Sequence, residues 1–295
     1  MKQTQGPRAD MLLARPGQAA IAGIEKILEI LATVFAIPAS HRRALPLAVR
    51  ELSRMLTEER SGLACSYWSA PRFLAAYLYY FLPWNLYRLA WLLPGLDLPL
   101  RENSRILDLG SGPLTMPLAL WCARPDLRTL PLEFTCSDVA PRPMELGRNI
   151  LNRLNGGRWR VHLLRAPLQQ ALRLGRDKGF DCITAANVLN EPSFLRQTGQ
   201  EEPLARRLDA LCAQAGAALR PGASFLLVEP GTRLGGKLLA LCREGALRQG
   251  LRVLAPCTHC GPCPMSGRGA MGFGDEAAYS LREGGGVAAA LLSYA

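Results

Sequence analysis

Over the first hundred positions apolar residues recur at helical spacing. Ile21, Ile24, Ile27, Leu28, Leu31 and Val34 form one stripe of a helix over residues 20–35, which Pro38 ends. A second amphipathic helix is predicted over 45–57, and the polar break Glu58-Glu59-Arg60-Ser61-Gly62 separates it from an aromatic block that begins at Tyr67. In that block the pattern predicts a helix over 73–81, a bend at Pro83-Trp84-Asn85 and a helix over 86–93 stopped by Pro94-Gly95. At helical spacing these aromatics read as core, with base stacking as the alternative. From Arg101 the pattern changes to short apolar runs alternating with amphipathic stretches, the mark of an α/β unit with a parallel sheet and crossover helices. Strands are predicted at 105–109, 132–138, 160–164, 180–186, 224–228 and 251–254, with helices over 113–124, 143–154, 204–219 and 234–249. The chain therefore divides into a helical region (1–100), an α/β unit (101–256) and a Cys-rich segment with a short final strand (257–295).

The first strand of the α/β unit breaks into Gly110-Ser111-Gly112. Glycine there permits positive φ and lets backbone N–H groups approach a ligand, and Pro113 reads as the first helical residue. Leu114-Thr115 stands where a pyrophosphate site would want a third glycine, so the turn suits a ligand without one. The second strand ends at Asp138, an acid able to accept both hydroxyls of a ribose. Together these segments resemble the class I methyltransferases that bind S-adenosylmethionine, with Asp108, Gly110, Ser111, Gly112 and Asp138 as cofactor residues; NAD, or no cofactor, is the alternative. Arg165-Ala166-Pro167 after the third strand supplies no carboxylate for an adenine amino group. Ligands of doubly wound sheets lie beyond the carboxyl ends of the strands, which makes Asn187, Asn190 and Glu191 pocket candidates, with loop capping as their other reading. That segment holds neither a Pro-Cys nucleophile pair nor an Asn-Pro-Pro-aromatic clamp, and no general base stands out.

Charge and cysteine usage add two expectations. The net charge of +11 is nearly all arginine, lysine occurring only at Lys2, Lys26, Lys178 and Lys237, and it would draw an anionic partner such as RNA; a GC-rich coding bias is the bland account of the same composition. The longest apolar stretch, 73–93, is interrupted by Pro83 and Arg88, so no membrane span is expected, and the N-terminus lacks an apolar core with a cleavage site, which points to a cytoplasmic location. Six of the nine cysteines are scattered singly, as reduced core thiols would be. The other three, Cys257, Cys260 and Cys263, lie at CxxCxxC spacing among Gly and Pro, where thiolates can converge on zinc, with His259 as a fourth ligand, or on an iron–sulfur cluster.

Several stretches together resemble one family, the methyltransferase-like proteins associated with assembly of the ribosomal small subunit, best known from mitochondria and with bacterial relatives. They are the Tyr67 to Asn85 block, Leu107-Asp108-Leu109-Gly110-Ser111-Gly112-Pro113, Val188-Leu189-Asn190-Glu191, Val228-Glu229-Pro230-Gly231, and Ala255-Pro256-Cys257 with His259 and Cys263-Pro264. The resemblance implies a Rossmann-like class I methyltransferase fold, S-adenosylmethionine binding, the small ribosomal subunit or its rRNA as partner, and a four-cysteine 4Fe–4S cluster. Cys257 and Cys263 match the first two cluster ligands of the family. The third falls around Ala270-Met271-Gly272-Phe273, which has no cysteine, leaving Cys260 as its substitute; the last would lie beyond Leu291-Leu292-Ser293-Tyr294, and the chain ends at Ala295. The resemblance implies a protein of ribosome assembly or rRNA methylation. The alternatives are an RNA or small-molecule methyltransferase with a structural zinc loop, and a metal or redox sensor that binds RNA.

Overall fold

The computed structural model of the chain describes residues 13, 15–57, 67–176, 179–191, 194, 203–257 and 259–261, and the backbone of 287–294. In chain order the elements are α1 (Gln18–Val34), α2 (Ala39–Thr57), α3 (Pro71–Ala76), α4 (Leu82–Leu92), β1 (Arg105–Leu109), α5 (Thr115–Ala123), β2 (Glu133–Asp138), α6 (Pro141–Asn155), β3 (Arg160–Arg165), α7 (Leu168–Gly175), β4 (Phe180–Ala186), α8 (Leu204–Ala218), β5 (Leu219–Pro230), α9 (Arg233–Arg248), β6 (Leu251–Ala255) and β7 (Val287–Tyr294). The strands make one seven-stranded sheet in the order β3-β2-β1-β4-β5-β7-β6. Its first five strands run parallel, while β7 is antiparallel to both β5 and β6. Its parallel, doubly wound part is the Rossmann-like α/β sheet expected for residues 101–256.

Because both faces of a parallel sheet are covered, its central strands are mostly apolar, with Asp108 and Thr184 as buried polar exceptions. In β1, Ile106 faces one layer with Phe134, Cys182 and Leu226, and that layer continues into α1, α4, α5 and α6 through Ile27, Leu31, Leu86, Leu120 and Ile150. Leu107 and Leu109 face the other layer with Ile183 and Leu227, closed by Leu172, Leu208, Leu211 and Leu238 of α7, α8 and α9. The N-terminal helices thus share one core with the sheet. A smaller cluster, Ala48, Leu52, Phe73 and Ala76, holds α2 against α3.

Several local expectations change. The second helix begins at Ala39, not Leu45, and carries Pro46 in its interior. The predicted bend at Pro83 is instead helical: α3 and α4 are joined by one widened turn, Tyr77–Phe81, in which the Leu82 N–H reaches back to the Tyr77 carbonyl. Pro83 has no N–H to donate, which suits it to the first turn of α4. Pro113 is not the first residue of its helix, since α5 begins at Thr115 and Leu114 lies before it in left-handed backbone, φ 56°. The helix α7 and the antiparallel placement of β7 have no counterpart among the sequence expectations.

Gly147, inside α6, fixes how closely that helix approaches the turn after β1. A Cβ there would lie 2.2 Å from the Pro113 carbonyl oxygen and 2.9 Å from the Leu114 Cβ. Alanine is intrinsically better than glycine in a helix by roughly 1 kcal/mol, but forcing backbone apart costs more, typically ~1–3 kcal/mol. Gly147→Ala is therefore expected to lower unfolding free energy by about 2 kcal/mol in urea denaturation. A stabilised variant would contradict this contact.

Candidate functional site

The topological switch of the sheet falls between β1 and β4, and the crevice beyond their carboxyl ends is where doubly wound sheets bind ligands. On the β1 side the backbone turns through Gly110 (φ 63°) and Gly112 (φ 51°) and then Leu114. Its amides are fixed from β2: Ser111 N–H donates to the Ser137 carbonyl at 2.9 Å, and Gly112 N–H donates to Asp138 Oδ2 at 2.9 Å. The other Asp138 oxygen accepts the Ala140 N–H at 2.9 Å. Asp138 therefore clamps the glycine turn to the start of α6. Burial raises its carboxyl pKa, opposed by the backbone N–H groups of Ala140, Gly112 and Val139. A carboxylate has about four acceptor positions, so two backbone bonds leave capacity for hydroxyl donors.

Asp108 lies behind the turn. It is buried, Oδ1 accepts from the Thr184 hydroxyl at 2.6 Å, and Oδ2 has no hydrogen-bond partner among the described residues. Burial pushes its pKa up to about 7, against hydrogen bonds from Thr184 and Ser111. The Ser111 side chain itself turns inward to the Asp108 carbonyl, at 3.0 Å.

On the β4 side Asn187 takes left-handed backbone (φ 59°) and its N–H joins the Val228 carbonyl at 2.8 Å. The loop that follows is held by Glu229, whose Oε1 accepts the N–H groups of Val188 (3.0 Å) and Leu189 (2.8 Å). Glu229 is buried, and Oε2 has no partner among the described residues. Burial raises its pKa to about 7, opposed by the N–H groups of Leu189, Val188 and Asn190. Val188 in turn packs on the turn after β1, its Cγ2 only 2.4 Å from where a Cβ of residue 110 would sit, so glycine at 110 is a packing requirement as well as a backbone one. Glu191 accepts the Tyr67 hydroxyl at 3.3 Å.

Of the predicted cofactor residues, Ser111 and Gly112 are hydrogen-bonded to the end of β2, Gly112 to Asp138 itself, and Gly110 opens the same turn, with Asp108 behind it. Asn187, Asn190 and Glu191 lie on the facing loop. Sequence reasoning did not assign Glu229, although it stands in the Val-Glu-Pro-Gly stretch that marks the family resemblance, or Tyr67, Trp68 and Tyr77, which read as core. An acid at the end of an apolar strand and phenols within an apolar block are the signals that would have found them.

The predicted metal residues are less convergent. Cys257 is half-buried and packs against the α8–α9 layer, whereas Cys260 is exposed. Arg243 of α9, itself buried, donates from Nη2 to the carbonyls of His259 (2.9 Å) and Gly261 (2.6 Å), anchoring the loop. Cys263 lies outside the described residues. Among the described residues no group of three His, Cys, Asp or Glu side chains is placed to hold a metal ion. Of the six scattered cysteines, Cys122, Cys136, Cys182, Cys212 and Cys242 are free and buried, as expected of core thiols, and Cys65 lies outside the described residues. No helix among the described residues is long and apolar enough to cross a membrane.

A sequence model of the family described as mitochondrial small ribosomal subunit Rsm22 matches residues 100–280, well over half of the chain. No curated protein matches it in sequence. Similar solved structures include TrmN from Thermus thermophilus (22% identity over 68% of this chain and 47% of that one, TM-score 0.36). Another is the cyclopropane synthase MmaA2 from Mycobacterium tuberculosis (14%, 68% and 70%, TM-score 0.37). A third is a methyltransferase from Pyrococcus furiosus (21%, 52% and 68%, TM-score 0.34). In TrmN the match spans less than half of the neighbour's length.

The two buried carboxyls have a measurable consequence. Asp108 and Glu229, raised from ordinary values of 3.8 and 4.5 to about 7, bind protons more tightly in the folded protein. Their stabilising contribution is complete below the unfolded values and is lost as pH rises toward 7, at up to about 1.4 kcal/mol per pH unit for each group. Glu229→Gln retains an acceptor for the Val188 and Leu189 amides but no longer titrates. It is expected to flatten the fall in stability between about pH 5 and pH 7 in denaturation experiments. An unchanged slope would contradict the assignment.

Proposed function

This chain belongs to the Rsm22 family of small ribosomal subunit proteins, and on that premise we propose that it binds S-adenosylmethionine and acts on the small ribosomal subunit, in its assembly or on its rRNA. The observation that carries the proposal is the pairing of the glycine turn with the Asp138 carboxylate at the switch between β1 and β4. The residues fit such a cofactor. Gly112 leaves a cradle bounded by Trp68, Asp138 keeps acceptor capacity at the end of β2, and the buried Oδ2 of Asp108 awaits a donor. Gly110, Ser111, Gly112 and Asp138 would hold the nucleoside and amino-acid parts, and Asn187, Asn190 and Glu191 would face the methyl acceptor.

When bound, the cofactor supplies an electrophilic methyl carbon. What the chain contributes is position, which for an in-line displacement is the main source of acceleration. The Tyr67 phenol stays protonated, since burial and the Glu191 carboxylate raise its pKa well above 10, so it serves as a hydrogen-bond donor and not as a base. A role in binding and checking the subunit, with or without turnover, suits such a site.

Two features support an RNA partner. The chain carries a net charge of +11. On α2, Arg43, Leu47, Arg50 and Arg54 are spaced by four, three and four residues and are exposed on one helical face, a row suited to phosphates. The described part of the cysteine loop does not assemble a ligand set, and zinc or an iron–sulfur cluster there would depend on Cys263.

Asp138→Asn, which puts an N–H₂ against the Gly112 or Ala140 amide, is expected to weaken S-adenosylmethionine binding at least tenfold, about 1.4 kcal/mol, by calorimetry. Transfer of labelled methyl groups to small-subunit rRNA would be lost in parallel wherever the wild type shows it. Unchanged affinity would remove the basis of the proposal.

A further inference from the structure

Three rings of the N-terminal aromatic block meet at the cofactor crevice. Tyr67 and Trp68 lie 4.6 Å apart, Trp68 and Tyr77 4.5 Å, and Tyr67 and Tyr77 6.2 Å, centroid to centroid. Trp68 reaches the glycine turn, its Cζ2 being 3.5 Å from where a Cβ of residue 112 would sit. The Tyr77 hydroxyl bonds the side chains of Thr115, at the start of α5, and Asn85. Tyr67 is tied across to Glu191 on the β4 loop. We infer that Tyr67, Trp68 and Tyr77 form an aromatic wall that recognises a positively charged centre in the ligand held by the 110–112 turn, and so separates a cationic methyl donor from its neutral thioether product.

This rests on the proposed cofactor and goes beyond it in naming the residues that read the cofactor's charge. Two observations outside the ring contacts support it. The first is the backbone. Tyr77 opens the widened turn Tyr77–Phe81, which sets the Tyr77 and Phe81 rings 5.8 Å apart on one side of the helix. Such turns are uncommon within helices and recur at functional sites.

The second is charge. Two carboxylates lie beside the rings: Glu191 accepts the Tyr67 hydroxyl, and Asp138 accepts the Gly112 N–H. Burial is the main cause that raises both phenols, and these carboxylates raise them further. In a chain of net charge +11 they put negative charge at this crevice. Aromatic faces add the negative side of their quadrupoles, which attracts a cation within about 6 Å. A sulfonium carries that charge, and after methyl loss the thioether does not.

The test measures affinities of the full chain for three ligands: S-adenosylmethionine, S-adenosylhomocysteine, and sinefungin, which bears an amine where the sulfonium would be. Trp68→Leu is expected to weaken both cationic ligands roughly five- to thirtyfold while leaving the thioether within about twofold. Trp68→Phe, which retains a ring, is expected to fall between, and it reads the effect if the leucine variant melts early. Equal losses for all three ligands, or no loss in either variant, would overturn the wall. A wild type that binds none of them would overturn the cofactor proposal itself, which keeps the two failures apart.

Discussion

Three left-handed residues within five positions, Gly110, Gly112 and Leu114, set the constraint on which this structure depends. Each is the seat of another element. Val188 closes on Gly110, Trp68 on Gly112, and Gly147 admits α6 against Pro113 and Leu114. A left-handed non-glycine residue costs roughly 1–2 kcal/mol, and Leu114 sustains it because its side chain is fully buried in the α5–α6 layer. At Leu114 apolar burial, and not glycine's conformational freedom, holds the turn in this backbone.

Two acids stabilise the backbones that face each other across the crevice, and they do so alike. Asp138 accepts N–H groups from the turn and from the start of α6, and Glu229 accepts N–H groups from the loop after β4. Each turns an irregular segment into a fixed wall without using a side chain of that segment. The N-terminal region supplies the third wall. Its helices share the core with the sheet, so Tyr67, Trp68 and Tyr77 are carried to the crevice by the same packing that buries Leu74, Leu78 and Leu82.

The sheet was legible because apolar runs of strand length alternate with amphipathic helices, and each predicted strand lies within or close to an observed one. The candidate cofactor residues were legible for a related reason: a glycine turn after a buried strand and an acid after the next are local patterns. What was not legible depends on contacts distant in sequence. Pro113 looked like a helix start because the left-handed state of Leu114 is imposed by packing with α6 and not by its own residue type. The second helix was expected to begin at Leu45, yet α2 starts at Ala39 and runs through Pro46, held to α3 by the buried Leu52 and Phe73. The phenols of Tyr67 and Tyr77 read as core because their partners, Glu191 and Thr115, lie far along the chain.

The most direct measurement of the central claim is hydrogen exchange of the full chain with and without saturating S-adenosylmethionine. One site built from three walls is expected to slow exchange together in the glycine turn at 110–116, the β4 loop at 187–191 and the aromatic segment at 67–82. Protection confined to the turn, with the aromatic segment exchanging as before, would contradict the joining of the N-terminal region to the proposed cofactor site.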